Sequence, residues 1–242
     1  MKRIILGCIG AWMLNACAPV KQNGTMEDMF LIVGSYATPQ EEGIKVYAWN
    51  NEKGEATYVS GLKGISNPSF QVVSADGERI YSVGEDDGLT STAHALSFDK
   101  AKGELTLMNA QLTQGGAPCY INIAPDGKSV VTANYMGANI SFIPLEASGR
   151  LTENVKTIAF TGEGEIKNRQ DQPHLHCVEF TPDGKYLVAK DLGTDKIHVF
   201  SLDSDGKPDE KATFDVNLDS ASGPRHLCFS IDGRFAYLIT EI

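Results

Sequence analysis

The chain has 242 residues, 42% of them hydrophobic and 21% charged, a balance that excludes a wholly disordered polymer and suffices for one large domain or two small ones. With 21 Lys plus Arg against 31 Asp plus Glu and a net charge of −10, general affinity for nucleic acid phosphates or anionic membrane surfaces is disfavoured, and a small or neutral partner is expected. The 24 Gly and 10 Pro are spread along the chain, pointing to many turns rather than long helices, and so to an all-β protein.

At the N-terminus, Lys2 and Arg3 precede an apolar run from Ile4 to Leu14, too short to cross a bilayer permanently and shaped like the core of an export signal. The run closes on Leu14-Asn15-Ala16-Cys17, which resembles a bacterial lipobox, although Asn15 is not the small residue usual there. Residues 1–17 are read as a lipoprotein signal peptide with Cys17 as the lipidation site, residues 18–29 as a polar tether, and residues 30–242 as the folded part. That reading places the protein in the cell envelope, membrane-attached only through its lipid. Cys119, Cys177 and Cys228 lack C-x-x-C spacing, so neither a zinc site nor a disulfide framework is indicated, and all three are expected in the core.

Four segments then repeat an Asp-Gly turn between short β-branched or aromatic runs: Asp76-Gly77, Asp126-Gly127, Asp183-Gly184 and Asp232-Gly233. Each reads as inner strand, turn, second strand. A second set interleaves with the first, in runs such as Gly43 to Trp49 and Lys196 to Leu202, and leads to Gly54, Gly103, Gly149 and Gly206. Two repeats at one period of about fifty residues indicate a four-stranded unit copied several times, and radial stacking into a β-propeller buries the faces that no single unit can cover. A sandwich does not require the same turn at each repeat, and a solenoid coil is shorter. Residues 30–242 hold a little over four units and stop inside an apolar run at Ile239 to Ile242. A ring needs whole blades, so the expectation is a partial propeller of four to five blades, truncated at its C-terminal side.

The phrases Asn67-Pro68-Ser69, Gly116-Ala117-Pro118-Cys119, Ala133-Asn134-Tyr135, Arg169-Gln170, Pro173-His174-Leu175-His176, Lys190-Asp191-Leu192-Gly193, Gly223-Pro224-Arg225-His226 and Thr240-Glu241-Ile242 together resemble the lactonase family of seven-bladed propellers. That family includes propeller-type 6-phosphogluconolactonases and fungal carboxymuconate cyclases. The resemblance runs in order from about Leu31 to the last residue, and it implies seven blades and roughly a hundred or more further residues.

Lactone hydrolysis needs water attack on a strained ester, a group to take the water's proton, and cationic or hydrogen-bonding groups at the oxyanion. His174 and His176 lie two apart at the start of an inner strand and so share a face. Facing the funnel they position water; facing the next sheet they are packing residues. Arg225 follows Gly223-Pro224 one blade later, and Glu241 lies at the end of the next strand. Resemblance to the fungal cyclases implies that His176, Arg225 and Glu241 belong to the active site, with a further Arg from a later blade that is not in this chain. In the expected roles His176 or Glu241 is general base, and Arg225 stabilises the oxyanion or binds a substrate carboxylate or phosphate. His174, Arg169, Asn134, Asp191 and His226 are second-rank substrate-binding candidates at the rim. His94 and His198 are read as surface or packing residues. Thr240 stands where the family usually has Asn, which bears on the orientation of Glu241.

Gly162-Glu163-Gly164-Glu165 is not a phosphate loop, because its carboxylates repel phosphate and no strand-to-helix context follows. Nothing in the sequence demands a metal or organic cofactor. The expected activity is opening of a sugar or sugar-phosphate lactone to the acid by a monomeric hydrolase with no nucleic acid partner, this stretch by itself being expected to be inactive because its ring cannot close and one expected Arg is missing. The alternative is a catalytically silent propeller that binds a carbohydrate or protein at the same funnel.

Overall fold

The computed structural model describes residues 3–8 and 29–242, which form five sheets with no helix among the described residues. The first sheet holds β1 (Arg3–Cys8), β2 (Met29–Gly34), β3 (Ile44–Asn50) and β4 (Glu55–Leu62). The second holds β5 (Gln71–Val73), β6 (Arg79–Gly84), β7 (Thr92–Asp99) and β8 (Glu104–Leu112). The third holds β9 (Pro118–Ile123), β10 (Ser129–Asn134), β11 (Asn139–Pro144) and β12 (Lys156–Ala159). The fourth holds β13 (Leu175–Phe180), β14 (Tyr186–Asp191), β15 (Lys196–Ser201) and β16 (Phe214–Asn217), and the fifth β17 (Pro224–Phe229) and β18 (Ala236–Thr240). Strands follow chain order within each sheet and pair antiparallel, except that β1 runs parallel to β2. This is the meander of propeller blades. The leader reading falls partly on β1, and its lipidation site, Cys17, lies outside the described residues.

Apolar cores form between blades rather than within them, because one sheet exposes two faces and each must meet a neighbour. Phe30, Ile32 and Val46 of the first blade pack on Ile80, Leu96 and Phe98 of the second. Tyr81 and Val83 meet Ile121 and Ile143 of the third, and Val131 and Ile140 meet Leu175 and Phe200 of the fourth. Val188 and Val199 then meet Leu227 of the fifth. This places the inner strands β9, β13 and β17 side by side around the axis.

The recurring Asp-Gly pairs close the β5–β6, β9–β10, β13–β14 and β17–β18 connections. In the second blade Asp76 Oδ1 accepts the Ser74 hydroxyl at 2.5 Å and the Glu78 N–H at 2.9 Å. Gly77, at φ 67°, donates its N–H to the Ser74 carbonyl at 2.8 Å. Thr181 with Asp183, and Ser230 with Asp232, repeat the side-chain bond at 2.6 Å, and Gly184 and Gly233 both sit at φ 69°. A Cβ is strained in that left-handed region, so glycine fixes the turn while the carboxylate satisfies its amides.

The expectation of three core cysteines needs one correction. Cys177 is buried and Cys119 nearly so, but Cys228 is exposed. It lies on β17 in a two-stranded sheet whose Tyr237 and Ile239 are likewise exposed, a face that no described element covers. His94 and His198 are both buried, so of the two readings offered for them packing holds. His198 bridges Asp215 (2.7 Å) and Asp191 (3.5 Å). Burial lowers its affinity for a proton, but those two carboxylates outweigh it and raise the pKa.

Candidate active site

Three inner strands join their second strands through the same irregularity. Pro118 pairs with Asn134 and Tyr120 with Ala133; Leu175 pairs with Asp191 and Cys177 with Lys190; Pro224 pairs with Thr240 and His226 with Ile239. One inner-strand residue is surplus each time: Cys119, His176 and Arg225. In the second blade the bonds from Val83 N–H to Phe70 O (3.1 Å) and from Glu85 N–H to Asn67 O (3.0 Å) enclose the same surplus at Ser69. A bulge leaves its extra residue out of the ladder and re-aims the side chain. Four blades therefore present Ser69, Cys119, His176 and Arg225 at one end of the ring, its mouth.

The residue just past each second strand completes the pattern. Glu85, Tyr135, Leu192 and Glu241 donate their N–H groups to the carbonyls of Asn67, Ala117, His174 and Gly223 at 3.0, 2.9, 2.9 and 2.9 Å. Glu241 is thus aimed by the same backbone bond as its counterparts, and Thr240 in place of Asn does not divert it.

At the mouth Glu241 Oε2 lies 2.6 Å from Arg225 Nε and 3.8 Å from His176 Nε2. Glu241 Oε1 accepts from Arg169 Nη2. Arg169 comes from the connection between β12 and β13, at residues 160–174. Its neighbour Gln170 is fully buried and donates to Leu192 O (2.9 Å) and Asp195 Oδ1 (2.8 Å), pinning the loop across the mouth. Arg169 also pairs with the Tyr135 hydroxyl.

The electrostatics divide these groups. Burial acts to raise the Glu241 pKa, but hydrogen bonds from Arg225 and Arg169 outweigh it and lower it. His176 is pulled down to about 4, by burial first and then by the Arg225 cation. His226 is pulled down to about 3 by burial, His176 and Arg225. Their surroundings explain the burial: His226 lies 5.1 Å from the His176 ring and edge-on to Tyr120 at 5.3 Å, and Tyr135 meets His176 edge-on at 5.7 Å. Both imidazoles are consequently neutral near pH 7, and the Nδ1 atoms of both lack a hydrogen-bond partner among the described residues. Cys119, enclosed beside them, has its thiol pKa pushed far up by burial and then by Glu85, which removes it as a nucleophile.

His176, Arg225, Glu241, Arg169 and His226 therefore converge. His174, Asn134 and Asp191 do not face the mouth. His174 is buried, stacks on Tyr135 at 4.3 Å and bonds the Tyr135 carbonyl at 3.0 Å. Asn134 is fully buried and donates to Asn139 (2.6 Å) and Ser141 (2.7 Å) in its own blade. Asp191, also fully buried, accepts from His174 N–H (2.8 Å), Gly193 N–H (3.0 Å) and the Thr194 hydroxyl (2.6 Å). These two hold the strand ends from which the bulges depart. Sequence reasoning overlooked Glu85 and Tyr135, whose shared place one residue past a second strand with Glu241 was the available signal.

Residues 30–242 match a family model described as lactonase, seven-bladed β-propeller. The chain belongs to the lactonase family. Among relatives of this lactonase-family chain, a 6-phosphogluconolactonase of Bacillus subtilis (strain 168) is 33% identical over 87% of this chain and 59% of its own length. A solved structure from Bacteroides fragilis, of a protein proposed to be a 6-phosphogluconolactonase, is 42% identical with a TM-score of 0.83, covering 92% of this chain and 64% of that one. A periplasmic gluconolactonase of Pseudomonas aeruginosa is 30% identical with a TM-score of 0.77, over 87% and 61%. The lactonase-family chain thus spans about three-fifths of the length of these relatives.

Proposed function

We propose that the mouth hydrolyses a sugar lactone, phosphorylated or not, to its hydroxy acid. The observation that carries this reading is the meeting of His176, Arg225, Glu241 and Arg169 in one partly open cluster of a lactonase-family chain. Both Glu241 oxygens are taken by guanidinium groups, which makes it a poor base and a good clamp for the two cations. Its work is to orient Arg225 and Arg169. His176, neutral at working pH, is the group left to take the water's proton. Arg225 contacts Glu241 through Nε, and its terminal nitrogens have no partner among the described residues, so they are the donors for an oxyanion or a substrate carboxylate or phosphate.

The charged and apolar pattern from Lys2 to Cys17 supports export and a lipid anchor in the cell envelope for a monomeric enzyme, and the periplasmic gluconolactonase among its structural relatives is consistent with that location. An unphosphorylated sugar lactone is then the natural candidate. Acid release from glucono-δ-lactone and from 6-phosphogluconolactone, followed by pH-stat in the intact protein, tests the reading. Base consumption that disappears in His176→Ala and Arg225→Ala is expected. Turnover persisting in both variants overturns this site, and ligand binding without turnover points to a silent propeller.

A further inference from the structure

Glu241 has a counterpart across the mouth that the mechanism above does not use. Glu85 follows β6 as Glu241 follows β18, and its N–H is tied to Asn67 O at 3.0 Å as that of Glu241 is tied to Gly223 O at 2.9 Å. The bulge residue beside each carboxylate differs: Arg225 next to Glu241, Ser69 next to Glu85. Glu85 accordingly accepts hydrogen bonds from hydroxyls, from Ser69 at Oε2 and from Tyr36 at Oε1 (2.9 Å). Tyr36 belongs to the connection between β2 and β3 and is 70% exposed, so the Glu85 carboxyl opens toward solvent through a phenol. The other titratable and charged groups acting on Glu85 and Tyr36 are Arg225, Asp87 and Cys119.

These two carboxyls stand in opposite environments. Two guanidiniums keep Glu241 ionised. Burial raises the Glu85 pKa, against the Ser69 and Tyr36 hydrogen bonds and the Arg225 charge. Paired acids whose surroundings drive them apart divide the labour of proton transfer, the lower one staying charged and the higher one being the better proton donor. Hydrolysis of an alkyl lactone has a use for such a proton. When water oxygen bonds to the carbonyl carbon, His176 takes the water's proton. When the ring C–O bond breaks, its electron pair goes to the ring oxygen, an alkoxide too basic to leave unassisted.

We propose that Glu85 is the general acid of this site, protonating the departing ring oxygen and regaining its proton through the Tyr36 hydroxyl from solvent as His176 releases its own. This rests on the lactone-hydrolase reading above.

The test uses the leaving group. Glucono-δ-lactone expels an alkoxide, whereas dihydrocoumarin expels a phenoxide that needs no protonation. In Glu85→Gln, kcat on the sugar lactone is expected to fall 100-fold or more, kcat on dihydrocoumarin to stay within a few-fold, and the alkaline limb of the sugar-lactone pH profile to disappear. Equal losses on both substrates assign Glu85 a purely structural place and overturn the proposal, as does unchanged turnover on both. If Glu85→Gln does not fold, the same contrast is read in Glu85→Asp, where a smaller but still selective loss on the sugar lactone is expected and a non-selective one overturns the proposal. His176→Ala run alongside separates the two readings. Loss there with an unaffected Glu85→Gln sinks only the general acid, and turnover surviving in His176→Ala sinks the site itself.

Discussion

His176 and Arg225 are the same residue of the same bulge, one blade apart. Each is the surplus position where its inner strand meets the end of its second strand, and each reaches Glu241 Oε2 with its side-chain nitrogen, at 3.8 and 2.6 Å. A propeller that copies one backbone irregularity thereby obtains a ring of equivalent places facing one mouth. Different side chains at those places make a site without any special loop to hold them.

The Arg225 place demands a planar fork. Its Nε holds Glu241 while the terminal nitrogens have no partner among the described residues, an arrangement that a single ammonium group does not reproduce. Arg225→Lys is therefore expected to lose nearly as much kcat/KM as Arg225→Ala, roughly 100-fold to 1,000-fold by analogy with removal of one oxyanion donor. Steady-state kinetics on one sugar lactone decide it, and near-complete rescue by Lys would show that only charge matters there.

Arg225 also sets the proton affinity of His176. Burial and the Arg225 cation together lower that imidazole to about 4, so the acid limb of kcat/KM, where His176 protonates, is expected near pH 4, far below that of an ordinary histidine. Removing the cation in Arg225→Gln raises the His176 pKa toward 6.5, although burial still holds it below that value. Histidine ring resonances followed by NMR through the titration measure this directly, with no need for turnover. A His176 pKa near 6.5 in the unaltered protein refutes the assignment.

The strand–turn–strand repeat was legible because its cause is local: an Asp that satisfies turn amides and a Gly at positive φ leave a mark every blade. The bulges were not, since two residues facing one is a property of pairing. Their trace is Pro68, Pro118 and Pro224, each one residue before the surplus position, where the inner strand can spare an N–H. His176, Arg225 and Glu241 entered through family resemblance, and the bulges explain why those positions meet. Asn134 and Asp191 look like site residues by their place at strand ends, yet their partners lie in their own blades and are invisible to a reading along the chain. Arg169 ranked low because nothing local shows that the burial of Gln170 carries its loop over the mouth.

Asp191 is expected to act on the site through structure alone. Its carboxylate gathers two backbone N–H groups, the Thr194 hydroxyl and His198 at the point where the His176 bulge begins. Asp191→Ala leaves these buried donors unmet and should cost roughly 3–5 kcal/mol, read as a lower midpoint in urea. Asp191→Asn keeps one acceptor and should recover most of the stability while leaving KM nearly unchanged. If Asp191→Asn instead raised KM strongly with no change in stability, Asp191 would be a substrate contact after all.

The buried histidines make the fold acid-sensitive well above the carboxylate range. His94, buried in the second blade, is lowered by burial to about 4. In the unfolded chain it takes up a proton near pH 6.5, whereas in the folded one it resists until about pH 4, so the unfolded state binds the extra proton throughout that window. Stability is then complete above pH 6.5 and declines as pH falls toward 4, by about 1.4 kcal/mol per pH unit for this one group. Replacing it with a side chain that does not titrate, as in His94→Gln, is expected to flatten the dependence of unfolding free energy on pH between 6 and 4.5 by about that slope. Urea melts at three pH values in that interval decide the matter, and an identical slope in the variant would mean that His94 is not held neutral in the folded protein.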